Sequence, residues 1–291
     1  MTQMRMRQLK RRKTKAPARV VAHSRLERKL EGWYDIRRGA AGYAPIIGAF
    51  GALSVPAIVL LFTVLPTESP KLLNQQAPVI ALSGGLLIVV VIASLTGSIG
   101  LAAVGAERDA TANLVPAAMF LGVAVSVSLI AVLAAFEAIA TLYLPGSGST
   151  DMVFTVIVGI GGISGAFFVA LSIADSWQTG PARGKGRWLQ TQWLQSYEQA
   201  YWWAQVSTLI SITPALVGIG LRLAGVTNIR LTTTEANYIV GVTLAVSMTG
   251  VGMGAMRTRH TEPQRGLRKW EALGTPFVIS CYALMVMIFL P

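Results

Sequence analysis

Apolar runs about as long as a bilayer crossing recur along this chain, separated by short polar segments, and no other feature limits its fold so tightly. A helix needs roughly 20 predominantly apolar residues to cross a hydrocarbon core of about 30 Å. Seven segments meet that condition: Tyr43 to Leu65, Val79 to Val104, Leu114 to Leu144, Met152 to Trp177, Ala204 to Val226, Ala236 to Met256 and Ala272 to Leu290. None alternates with period two, so the strands of a closed barrel are not the reading. The expected fold is all-α, a bundle of about seven transmembrane helices. With 53% hydrophobic and 13% charged residues and a mean hydropathy of +0.56, the chain has too little polar surface for an ordinary soluble domain.

Residues 1–42 read as a basic cytoplasmic tail and 43–291 as the polytopic domain. The first apolar run begins too far along the chain, and is too long, for a signal-peptide core, so it reads as a retained span. The third run, of 31 residues, exceeds a perpendicular crossing and predicts a tilt or a protruding outer end.

Orientation follows from the positive charges, because basic loops resist translocation. With the N-terminus inside, 22 of the 25 Lys and Arg residues fall on the cytoplasmic side, leaving only Lys71, Arg222 and Arg230 outside. The opposite orientation inverts that ratio, so the reading is N-in and C-out. All seven tryptophans lie at or beside an inner end of a span, where indole favours the headgroup layer. This places the chain as a multi-pass protein of the cell's inner, or plasma, membrane.

Between the fourth and fifth spans, Leu189, Trp193, Tyr197 and Tyr201 recur every four residues with polar residues between them. The spacing predicts an amphipathic helix in the inner interface, or an extension of the fifth span. Leu26, Leu30 and Trp33 suggest a further short amphipathic helix in the tail. The net charge of +12 comes mostly from that tail and the inner loops, where orientation demands it. The expected partner is therefore an anionic inner leaflet rather than nucleic acid, since no aromatic-basic reader accompanies the charge.

The even spans share a weak pattern: Thr96-Gly97, Ser164-Gly165 and Thr249-Gly250, with Glu107, Asp175 and His260 ten residues beyond each glycine. Three helical hairpins plus a seventh helix would explain it, as would chance resemblance among apolar helices. Gly161 and Gly165, Gly250 and Gly254, and Ala93 and Gly97 stand four apart, a spacing that clears one helix face for close packing. Pro56 and Pro214 lie inside spans, where each removes a backbone hydrogen bond and can form a hinge.

Glu137 is the position at which chemistry is most expected, because a carboxylate within a span is costly unless paired, protonated or hydrated. Counting along the third and fifth spans puts Arg222 at a similar depth, and the two are expected to meet. In one reading Glu137 binds a proton or cation beside the Arg222 charge; in the other, the two neutralise one another inside the bundle. Asp175 and Glu107 are weaker candidates near the inner water layer.

Other chemistries fail on their mechanics. Gly180 to Gly186 resembles a phosphate loop but lacks its spacing and its hydroxyl residue. The glycines from Gly159 to Gly165 sit within a span rather than after a strand, which excludes a dinucleotide fingerprint. Cys281, His23 and His260 are too sparse for a metal site, and no lysine lies inside the bundle to carry a retinal Schiff base. No catalytic residue, metal or cofactor is expected. Three functions remain: first a small transporter or channel for a proton, ion or small solute; as its alternative, a non-catalytic membrane subunit or scaffold that binds partner membrane proteins or a second copy of itself; and third an intramembrane enzyme, which would need a polar constellation across several spans that the sequence does not show.

Overall fold

A computed structural model of the chain describes residues 36–64, 70–107, 114–143, 156–163, 197–225, 231–259 and 269–290. Among them every regular element is a helix: α1 (Ile36–Val64), α2 (Pro70–Ala106), α3 (Leu114–Tyr143), α4 (156–163), α5 (Tyr197–Leu223), α6 (Thr233–Arg259) and α7 (Lys269–Phe289). Six of these, all but α4, are long and apolar enough to cross a membrane. The chain is a multi-pass helical membrane protein. Of the fourth expected span, only 156–163 is described; Gly165, Asp175 and most of the segment carrying Leu189 and Trp193 lie outside the described residues, as does the tail to Asp35.

Local chemistry sets the helix ends. Before α6, the Thr232 hydroxyl accepts from the Glu235 backbone N–H at 3.2 Å while the Glu235 carboxylate accepts from the Thr232 N–H at 2.8 Å. That reciprocal capping box is why α6 starts there. Past α5, Gly225 adopts φ +69° and its N–H bonds the Arg222 carbonyl at 3.0 Å. A left-handed glycine of this kind closes a helix, so Arg222 belongs to the last turn of α5.

Helices run past the expected spans into what would be the headgroup layer. The longest described helix is α2, at 37 residues, rather than the third helix, at 30. The polar stretch Asn74-Gln75-Gln76 stays helical ahead of the apolar run, an extension that hydropathy alone does not register. Tyr197 and Tyr201 likewise belong to α5, while Leu189 and Trp193 of the same four-residue spacing lie outside the described residues.

The centre of the bundle is α3, which packs on α1, α2, α6 and α7. Its apolar window is 78% buried against 22% for α1, so α3 is shielded by protein while α1 shows most of its apolar surface outward. Small residues make this possible: Ala117, Ala124, Ala131, Ala134, Ala135 and Ala138 are all buried along α3. Gly250 and Gly254 of α6 press on the same helix. A Cβ on Gly250 would stand 2.8 Å from the Phe120 carbonyl oxygen, and one on Gly254 2.8 Å from Leu121. Gly161 is similarly close to Leu133, at 2.9 Å. Gly97 differs, for a Cβ there would meet only Ala124 and Val125 at 3.9 Å.

Pro56 and Pro214 lie within α1 and α5, and both helices continue through them. A third proline, Pro276 in α7, proves more informative. It removes the N–H that would bond the Ala272 carbonyl four residues back. Ser207 of α5 donates to that same carbonyl at 2.9 Å. A hydroxyl on a neighbouring helix thus replaces the missing backbone donor, which is how lipid-embedded helices tolerate proline.

Candidate functional site

Among the described residues, the charged groups buried in the bundle gather at the two ends of α7. Glu137, six residues before the end of α3, is fully buried, as are its sequence neighbours Ala134, Ala135 and Ala138. Arg222, held in the last turn of α5, reaches it: Nη2 donates to the carboxylate Oε1 at 2.5 Å. The other arm of the guanidinium donates from Nη1 to the backbone oxygens of Met287, at 3.1 Å, and Leu290, at 3.3 Å. One arginine therefore joins three helices.

Both halves of that arrangement have a physical cause. The last carbonyls of any helix lack intrahelical donors, and within hydrocarbon no water replaces them. A cation beside the negative end of the α7 dipole is also favourable. Arginine suits the task because its planar fork presents donors in two directions while staying charged. The contact further brings the C-terminal ends of α3, α5 and α7 together.

At the other end of α7, Arg257 in the last turn of α6 bonds Glu271 in the first turn of α7, and both side chains are nearly inaccessible. Here each charge also complements a helix dipole, anion at an N-terminus and cation at a C-terminus. Midway between the ends, the Thr243 hydroxyl donates to the Ile239 carbonyl at 2.6 Å and lies 3.0 Å from the Tyr282 hydroxyl. Its single proton being committed to Ile239, Thr243 accepts and Tyr282 donates. With Ser207 on Ala272, polar contacts tie α7 to α5 and α6 along its length, and through Arg222 to α3.

Of the residues singled out in the sequence, the structure brings together Glu137 and Arg222. Glu107 stands apart, exposed just past the end of α2. Asp175 lies outside the described residues. The Arg257–Glu271 pair was missed because Arg257 counts in sequence as one more loop-side charge; the available signal was Glu271 opening a helix that Arg257 precedes. The Ser207–Pro276 relation leaves no sequence signal, since nothing in the spacing matches a serine to a proline two helices away.

Among the described residues, no three His, Cys, Asp or Glu side chains stand close enough to hold a metal ion. Chemically, the site does one thing well: it compensates a buried carboxylate and caps a helix end with the same cation. The chain matches no known family model, no curated protein and no solved structure.

Proposed function

We propose that this chain is a non-catalytic membrane subunit or scaffold, a rigid helical platform on which partner membrane proteins, or a second copy, assemble. The observation that carries the reading is the use made of Arg222: its guanidinium binds Glu137 and two carbonyls at the C-terminal end of α7, those of Met287 and of Leu290 just past it, so the buried charge is spent on joining helices. A group meant to load and release an ion needs access to water, and Glu137 is 0% exposed. In this reading, the basic tail rests on the anionic inner leaflet of the plasma membrane.

Flux in proteoliposomes tests it, with ion and pH gradients applied to the wild type and to Glu137→Gln. Neither protein is expected to pass ions or protons, and Glu137→Gln is expected to lower thermal stability. Gradient-driven flux that Glu137→Gln abolishes without a loss of stability would overturn the scaffold. The second reading, transport of a proton, ion or small solute with Glu137 as the binding group, is favoured by one observation, a carboxylate placed well inside a span.

A further inference from the structure

The Arg257–Glu271 pair and the Thr243–Tyr282 hydrogen bond both cross from α6 to α7. Between these two ties the helices scarcely touch, each leaning instead on α3, and a groove of about 330 Å³ is left open, within the size range of sites that hold small organic molecules. Its floor is Phe120 and Val123 of α3. Its walls run from Ala245 to Met253 on α6 and from Trp270 to Val278 on α7. At about 1.5 Å of rise per residue, either wall is about 12 Å long.

Both ends of the groove are stopped. Thr243 lies just before Ala245 and Tyr282 one turn beyond Val278, while Arg257 lies one turn beyond Met253 and its partner Glu271 is next to Trp270. The long side is open: Ala245 and Thr249 are exposed, and Val278 and Trp270 about half so. Because α6 and α7 are both long and apolar enough to cross a membrane, that side meets hydrocarbon. Thr275 turns its hydroxyl back to the Glu271 carbonyl at 2.7 Å, and Gly274 leaves the α7 wall open, for a Cβ there would meet nothing within 4 Å.

Length and width, rather than charge, are what such a slot can select. Moving a chain from lipid into it gains no hydrophobic free energy, because both surroundings are apolar, so packing against the floor and two walls decides occupancy. An extended alkyl chain advances about 1.25 Å per carbon, given bonds of about 1.52 Å at near-tetrahedral angles, so about ten carbons fill the slot from stop to stop. A phospholipid tail, which reaches across half of a hydrocarbon core of about 30 Å, overruns it. We propose that the groove is a binding site for a free, unbranched single-chain molecule of about ten carbons, lying lengthwise between α6 and α7 and stopped at each end by the bond that joins them. The proposal goes beyond the scaffold reading and does not depend on it.

The test is photolabelling of the full chain in phosphatidylcholine vesicles with a decanol that carries a diazirine at its methyl end, followed by peptide mapping. Phe50 and Leu53 of α1, exposed on a face that meets bulk lipid, give the reference for unspecific contact. Label is expected on Met253 and Val278, and excess unlabelled decanol is expected to reduce it several-fold while leaving the α1 label unchanged. Hexanol and hexadecanol, at the same concentration in the membrane, are expected to compete less well than decanol. Gly274→Leu and Ala245→Leu each narrow the slot from one wall, and either is expected to remove the competable label. The same change at Gly220 of α5, where a Cβ also meets nothing within 4 Å, is expected to preserve it. Groove label no more competable than that on α1, hexadecanol competing as well as decanol, or competable label surviving in a folded narrowed variant would overturn the proposal.

Discussion

At both ends of α7 an arginine from a neighbouring helix meets a buried carboxylate, but the two ends share their work differently. At the C-terminal end Arg222 serves alone: it compensates Glu137 of α3 and also supplies donors to Met287 and Leu290. At the N-terminal end, Glu271 sits at the positive end of its own helix and Arg257 at the negative end of its own, so each keeps a favourable dipole if the other is removed. The first arrangement concentrates its function in one side chain, while the second distributes it. Similar ion pairs should therefore differ in what their loss costs.

Arg222→Ala should have the largest effect. It strands a buried carboxylate and strips two carbonyls of their donor, and breaking a buried pair in this way costs about 3–5 kcal/mol. Arg257→Ala should cost less, about 1–3 kcal/mol, in the range of one hydrogen bond to a charged group. Equilibrium unfolding of both variants in bicelles, beside wild type, measures the difference. If Arg257→Ala proved the more damaging, the contrast between concentrated and distributed ends would be wrong.

The same contrast explains what the sequence made legible. Helical spans were readable because hydropathy over some 20 residues averages out local detail, and six of the runs appear as helices whose ends differ from the expected spans by several residues. Glu137 and Arg222 could be paired in advance because each is a charge surrounded by apolar residues, so its depth follows from counting along its own helix. Arg257 and Glu271 could not, because each lies where a span gives way to a loop and there looks like ordinary boundary charge. The four-residue glycine spacing separates in the same way. Gly250 and Gly254 abut α3, whereas Gly97, equally regular in sequence, is loosely surrounded. Spacing identifies a face that permits close approach, but only the crossing geometry decides where a neighbour uses it.

The smallest expected effect sharpens the comparison at the N-terminal end, where α7 is held by Ser207 as well as by the ion pair. Interhelical hydrogen bonds in membranes average about 0.6 kcal/mol, so Ser207→Ala alone should destabilise the protein only slightly. The Ala272 carbonyl, however, depends on Ser207 because Pro276 has no N–H to offer it. Pro276→Ala restores a backbone donor four residues along, and in that background the loss of the Ser207 hydroxyl should cost close to nothing. A double-mutant cycle over the two positions reads the difference as a coupling energy, expected at about 0.5–1 kcal/mol. Strictly additive costs would mean that the serine does not stand in for the missing amide, and that the N-terminal end of α7 rests on the Arg257–Glu271 pair to a greater degree than the geometry indicates.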